Sequence, residues 1–268
     1  MITSTGNTQV KEIANLVKKA KARREQGLFI VEGIKMFSEL PMDHLEKTYV
    51  SESFLAQHRS ETENRLEQLA GSHVECVSDE VMRYMSDTQT PQGILAVARQ
   101  FSYTVEDIIK QDPNVPAHLI VLETIQDPGN LGTILRAGEG AGITGVIMSH
   151  DTADIYSPKV IRSTMGSIYR VPFVYTDDLQ HTITEIKKAG ICLYAAHLKG
   201  KNNYEEEDYR GNIGFLIGNE ANGLSGAISA MADCYVKIPM AGSVESLNAA
   251  VAASVLMFET ARQRRKNW

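Results

Sequence analysis

Apolar positions recur along this chain in two alternating series of helix-like and strand-like runs. In the first, Val10, Ile13, Ala14 and Val17 fall at helical spacing between Thr8 and Ala22, which turns most of the lysines there to the opposite face. Gly27 ends that helix, Leu28 to Val31 reads as a short buried strand, and Glu32-Gly33 turns into a helix closing near Leu40. Strands are expected over Leu45 to Val50, His73 to Val77 and Gly93 to Ala98, with helices over Phe54 to Leu69 and Glu80 to Met85.

The second series begins with a strand over His118 to Leu122, a helix over Leu131 to Glu139 and a strand over Gly145 to Met148. Ser157-Pro158 opens a helix with N-cap and N1 proline in the favoured order, and Gly166 closes it. Strands follow over Val171 to Tyr175, Ile191 to Ala196, Ile213 to Ile217 and Tyr235 to Ile238, with helices over Leu179 to Ala189 and Leu224 to Met231. These strands are unbroken apolar runs, the pattern of strands buried on both faces in a parallel sheet covered by helices. Between the two series, Gln111-Asp-Pro-Asn-Val-Pro116 sets prolines among polar residues. The expected organisation is a smaller α/β domain over 1–100, a linker over 101–117 and a larger α/β domain over 118–268.

Composition adds exclusions. At 268 residues, 43% hydrophobic and 22% charged, the chain has the make-up of a globular protein. It has no apolar run long enough to span a membrane and no basic-then-apolar start, so a cytoplasmic location is expected. Cys76, Cys192 and Cys234 are odd in number and widely spaced among apolar residues, which points to reduced core thiols and to neither a disulfide framework nor a metal site. The formal net charge of -6 argues against a generic nucleic-acid binder, but the distribution is uneven. Lys11, Lys18, Lys19, Lys21, Arg23 and Arg24 crowd the first helix against Glu12 alone, and Arg262, Arg264, Arg265 and Lys266 end the chain. A solvated helix face and a frayed end are the bland reading of both runs; a local basic surface is the functional one.

Ligands of open α/β sheets bind outside the carboxyl ends of the strands, and three strand ends here lead into loops of small and polar residues. The first is Asp127-Pro-Gly-Asn130-Leu-Gly132-Thr-Ile-Leu-Arg136, opening a helix. The second is Ile217-Gly218-Asn219-Glu220-Ala-Asn222-Gly223. The third is Ile238-Pro-Met240-Ala-Gly242-Ser-Val-Glu-Ser246-Leu247-Asn248, followed by an alanine-dense helix from about Leu247 to Arg262 with Ser246 as its expected N-cap and Asn248 in its first turn.

Together these loops resemble the three signature motifs of the SpoU or TrmH family, RNA ribose 2'-O-methyltransferases of the SPOUT class that use S-adenosylmethionine. Order, separation and strand context agree in all three. Gly27-Leu-Phe-Ile-Val-Glu-Gly33 and Pro91-Gln-Gly93 resemble the ribosomal-protein-like RNA-binding domain that many members carry at the N-terminus. The resemblance implies a C-terminal trefoil knot and a homodimer formed through the knotted domain. It implies cofactor contacts near Ala195, Ala196 and His197, on Ile217, Gly218 and Glu220, on Ile238 and Met240, and on Ser246 and Leu247. It places the catalytic roles on Asn130, Arg136, Glu220, Ser246 and Asn248, with ribosomal RNA favoured over transfer RNA by analogy.

None of the motifs contains a histidine, so the commonest general base is missing. The resemblance implies a general-base role for Arg136, but a guanidinium keeps its proton at neutral pH, so Arg136 is read instead as a clamp on the target phosphate that stabilises charge growing on the 2'-oxygen. Glu220 is expected either to hold Arg136 or to accept a proton through water. Lys18, Lys19, Lys21, Arg23 and Arg24 are the expected phosphate contacts. Two rivals stand beside this reading. Gly138-Glu-Gly140-Ala-Gly142 hints at a nicotinamide site, but its glycines close a helix instead of opening one. A non-catalytic RNA binder on the same fold is disfavoured because every polar motif residue is present.

Overall fold

A computed structural model describes residues 1–57, 74–110, 114–198, 200 and 202–265. Most of the helix expected over Phe54 to Leu69, together with His73, Gln111 to Pro113 and Lys266, lies outside the described residues. The elements in chain order are α1 (Thr8–Lys18), α2 (Ala20–Gln26), β1 (Leu28–Glu32), α3 (Ile34–Glu39), β2 (Leu45–Ser51), α4 (Glu52–Gln57), β3 (Val74–Val77), α5 (Asp79–Met85), β4 (Ile94–Arg99) and α6 (Val105–Ile109). Then come β5 (His118–Leu122), α7 (Pro128–Ala141), β6 (Gly145–Ser149), α8 (Pro158–Thr164), β7 (Phe173–Thr176), α9 (Leu179–Lys188), β8 (Cys192–Ala196), β9 (Asn202–Asn203), β10 (Ile213–Ile217), α10 (Gly226–Ser229), β11 (Cys234–Lys237) and α11 (Ala249–Arg265). Contacts divide the chain into two compact units, Met1–Phe101 with Asp154–Tyr169, and Ser102–Ala153 with Arg170–Trp268.

The first unit is built on a mixed sheet of order β1-β4-β2-β3, in which β4 runs antiparallel to β1 and β2 while β3 runs parallel to β2. Val10, Ile13, Leu16 and Val17 of α1 and Val81, Met82 and Met85 of α5 pack on Ile30, Tyr49, Leu95 and Val97 of the sheet. The single helix expected from Thr8 to Ala22 is broken at Lys19, which is extended at φ -123° and ψ 114°. Arg23 explains the break. Its guanidinium donates to the carbonyls of Leu16 (2.6 Å) and Val17 (3.0 Å), so the last turn of α1 is satisfied by a side chain instead of by further helix. The same guanidinium pairs with Asp154 at 2.6 Å and is only 4% exposed. The segment Asp154–Tyr169 thus belongs to this unit, although the sequence sets it between strands of the other. Tyr156 packs on Phe29, and the Tyr169 hydroxyl donates to the Met36 carbonyl.

In the second unit every strand pair is parallel, in the order β7-β6-β5-β10-β8-β11-β9. Strands β5, β6 and β10 are buried along their whole length, as their unbroken apolar sequences require. The stretch expected as linker contains α6, opened by a reciprocal capping box between Thr104 and Asp107. Helix α11 packs along α7. A Cβ on Gly138 would lie 2.3 Å from the Ile143 side chain, and Gly142 closes α7 at φ 75°. The Gly138–Gly142 run is therefore a packed helix end, which removes the nicotinamide rival. Arg264 near the end of α11 donates to the carbonyls of Pro116, Ala117, Tyr209 and Gly211, and Arg262 pairs with Glu259. Within the C-terminal basic run Arg264 is thus consumed inside the fold, whereas Arg262 and Arg265 remain exposed. The three cysteines are free, and half-buried where core positions were expected. Burial pushes the thiols of all three up.

Candidate active site

The three motif loops meet at the N-terminus of α7. Asp127 caps that helix by accepting from the Asn130 amide (2.9 Å), with Pro128 in the first turn. The Glu220 carboxylate accepts from the backbone amides of Gln126 and Asp127, both at 3.1 Å, and from Asn130 Nδ2 at 2.9 Å. Asn130 Oδ1 in turn accepts from Asn248 Nδ2 at 3.0 Å. Asn248 Oδ1 accepts from the amides of Ala250 (2.9 Å) and Val251 (3.2 Å) at the start of α11. Asn248, not Ser246, is therefore the N-cap of α11, which begins at Ala249 and not near Leu247. An alternation of donors and acceptors fixes the direction of this relay. The free amides of α11 require an oxygen from Asn248, which leaves its NH2 to donate, and Asn130 must then turn its own NH2 to Glu220.

Burial pushes the Glu220 carboxyl up, but hydrogen bonds from Asn130, Asp127 and Gln126 outweigh it and hold the group below its ordinary value. A carboxylate so engaged is a poor proton acceptor. Glu220 does not bond Arg136, so neither role expected for it is the one the geometry supports; it ties the second motif loop to the first. Arg136 is exposed on α7 and forms no ion pair or hydrogen bond among the described residues, as does the exposed Ser246.

The second loop is closed on itself. Asn219 and Gly223 exchange backbone hydrogen bonds at 3.1 and 2.9 Å, and Asn219 Oδ1 accepts from the amides of Ala221 and Asn222. A Cβ on Gly218 would sit 2.1 Å from the backbone of Gly223 and Leu224, so its glycine is demanded by loop closure. Asn219 Nδ2 donates to the Thr124 carbonyl at 2.8 Å. Thr124 occupies the left-handed region at φ 55°, an unfavourable place for a β-branched residue. It is held there by Ser149 Oγ, which accepts from its amide, and by Asp151, which accepts from its hydroxyl. Thr124, Ser149 and Asp151 were not found by motif reasoning. Asn219 lay inside a motif, whereas a threonine at positive φ has no sequence signature.

The expected cofactor positions fall at the carboxyl ends of neighbouring strands. β8 pairs with β10 through Ala195 and Leu216 and with β11 through Ala196 and Val236, and the His197 amide donates to the Val236 carbonyl at 3.0 Å. Ala195 and Ile217 are buried strand residues, and the Ile217 carbonyl accepts from the Glu123 amide. Ala196, His197, Gly218, Ile238, Met240 and Leu247 are half-buried just beyond. The His197 ring stacks on Tyr235 with centroids 5.1 Å apart. Backbone approach is close here: a Cβ on Gly200 would lie 2.8 Å from Val236. A ligand held largely by backbone groups at adjacent strand ends fits this arrangement.

Of the expected phosphate contacts, Lys18, Lys19, Lys21 and Arg24 are exposed. Arg23 is different from the expectation: buried, paired with Asp154 and bonded to two carbonyls, it is turned away from any phosphate in solvent.

Residues 117–258 match the SpoU rRNA methylase family model, and residues 7–96 match the MRM3-like substrate binding domain. The chain belongs to the SpoU family, and membership implies its C-terminal knot. It is 29% identical over 257 residues to the Bacillus subtilis 23S rRNA (guanosine(2553)-2'-O)-methyltransferase RlmP, covering 96% of this chain and 97% of that protein. The SpoU methyltransferase AviRb of Streptomyces viridochromogenes superposes with a TM-score of 0.84 at 25% identity, covering 97% of this chain and 99% of that one. An AdoMet-bound rRNA methyltransferase from Sinorhizobium meliloti gives 0.83 at 28% identity, covering 97% of each chain.

Proposed function

We propose that this chain is an RNA ribose 2'-O-methyltransferase that moves a methyl group from S-adenosylmethionine to a 2'-hydroxyl of ribosomal RNA in the cytoplasm. The observation that carries the reading is the relay Glu220–Asn130–Asn248, which makes one site of three loops distant in sequence. S-adenosylmethionine, when bound, supplies a methyl group on a positively charged sulfur. Ala196, His197, Gly218, Ile238, Met240 and Leu247 are the residues that would hold it. Asn130, Glu220 and Asn248 fix the loops around the acceptor sugar, and positioning of this kind is worth up to about 7–11 kcal/mol of barrier.

Transfer forms a carbon–oxygen bond, breaks a carbon–sulfur bond and releases the hydroxyl proton. Glu220 is too heavily hydrogen-bonded to take that proton, so it passes to water. Arg136, whose side chain has no partner among the described residues, clamps the neighbouring phosphate and offsets the charge growing on oxygen. The assay is transfer of labelled methyl from S-adenosylmethionine to ribosomal RNA, followed by nucleoside analysis for 2'-O-methylation. The parent should score and Arg136→Lys should lose most turnover, because an ammonium cannot hold a phosphate with two parallel hydrogen bonds. Near-normal turnover in Arg136→Lys would exclude the clamp, and a methyl on a base would exclude the reaction.

Two finer readings belong with this one. Residues 1–100 act as the RNA-holding domain and 118–268 as the catalytic domain. The active form is a homodimer through the catalytic domain, supported by an apolar stripe on α11, where Val251 and Phe258, 47% and 45% exposed, lie on one face with Val255. Sedimentation analysis reads this directly, and a monomer at working concentrations would contradict it.

A further inference from the structure

We propose that Tyr84, with Lys18 across its ring, is a stacking platform for an unpaired base of the substrate RNA. The inference rests on the reading of the first unit as the RNA-holding part and adds to it a residue and a class of ligand. On α5 the side chains of Val81, Met82 and Met85 are buried, whereas the Tyr84 ring is left 42% exposed. A single exposed aromatic is ordinary; its setting here is not.

The Lys18 ammonium lies 5.4 Å from the ring centroid, over one face. With the ammonium over one face, a stacking base would take the exposed remainder of the ring. Lys18 ends an exposed stripe on α1, Lys11, Asn15 and Lys18, spaced so that all three share one side of the helix. Neither Lys11 nor Lys18 forms an ion pair among the described residues, and Lys19 and Arg24 beyond them form none either. Unpaired cations beside an exposed ring are the two components that hold single-stranded RNA, the cations on its phosphates and the ring on a base. Paired A-form RNA shows no base face and has no use for the ring. Glu80, one turn earlier on α5 and also exposed, weakens the pull on phosphate at Tyr84 itself, so the ring contributes stacking and the lysines contribute charge.

The test uses the full-length protein with a labelled single-stranded oligoadenylate and a duplex RNA of the same length, titrated over a range of salt concentrations. Tyr84→Ala should weaken single-strand binding about 10-fold and leave the salt slope and duplex binding unchanged. Tyr84→Phe should bind like the parent. Tyr84→Leu, which keeps apolar bulk without a stacking face, should behave like the alanine variant. Lys18→Gln should instead flatten the salt slope by about one unit. The platform is overturned if Tyr84→Leu binds the single strand as tightly as the parent, or if it loses single strand and duplex equally. If the parent binds neither RNA, the RNA-holding role of the first unit falls and the platform with it; if the parent binds and only the tyrosine variants are silent, the platform alone is lost.

Discussion

The loops at the end of the seven-stranded sheet and the basic helices α1 and α2 are both rich in polar side chains, and they use them in opposite ways. At the loops Asn130, Glu220, Asn219 and Asn248 are taken up by one another and by backbone amides and carbonyls. Arg136 and Ser246 are exposed there and have no side-chain partner among the described residues. On the helices Lys18, Lys19 and Arg24 stand exposed and form no ion pair among the described residues, Lys21 pairs with Glu25 at the surface, and Arg23 is consumed internally. The difference follows from the two tasks. Geometry is fixed by saturating hydrogen bonds in a set direction, whereas a surface that meets phosphate needs charge that nothing else has neutralised.

The largest effect that would break this comparison is at Asn130. Asn130→Asp changes a single NH2 into oxygen, sets a carboxylate against Glu220 and removes the donor the relay requires. Turnover should fall by about 100-fold or more with the fold intact, because a hydrogen bond to a charged group is replaced by repulsion. Methyl transfer and circular dichroism of the same sample check it, and retained activity would mean the relay is incidental.

A smaller effect separates the two kinds of basic residue. Lys19→Gln and Arg24→Gln should each lower the salt slope of RNA binding by about one unit without lowering Tm. Arg23→Met should do the reverse, destabilising the protein by about 3 kcal/mol because Asp154 and two carbonyls lose their partner, while the salt slope stays put. Arg262→Gln, whose guanidinium is already paired with Glu259, should leave the slope unchanged. Identical slopes for all four variants would erase the distinction.

An effect confined to acid pH lies in the core. Burial, aided by the charge of Arg264, holds His118 down to about 3 while its unfolded value is near 6.5. Between those values the unfolded chain binds a proton that the folded one refuses, so stability falls as pH drops from about 6.5 toward 3. The slope reaches about 1.4 kcal/mol per pH unit at most. His118→Phe should flatten that limb in denaturant titrations at several pH values; an unchanged limb would assign the acid sensitivity elsewhere.

Much of this was legible in the chain itself. The unbroken apolar strands announced the parallel sheet, Gly27, Gly142 and Ser157-Pro158 marked their helix ends, and the motifs gathered Asn130, Glu220 and Asn248. The break at Lys19 was hidden because Arg23 acts on carbonyls several residues back in the chain and on Asp154, and long-range pairing leaves no periodicity. Thr124 was hidden for a related reason: its left-handed backbone is imposed by Ser149, Asp151 and Asn219, and nothing in its own side chain favours it. The cap of α11 was misplaced by two residues because Ser246 and Asn248 are equally good caps locally, and only the contact with Asn130 chooses between them.

The relay itself is tested most directly by a double-mutant cycle between Glu220 and Asn248, which reach each other only through Asn130. Turnover of Glu220→Gln, Asn248→Asp and the pair should show a coupling of about 1 kcal/mol or more, since the loss of either end already misaligns the residue between them. Strictly additive losses would contradict the account, because Glu220 and Asn248 would then serve the site independently.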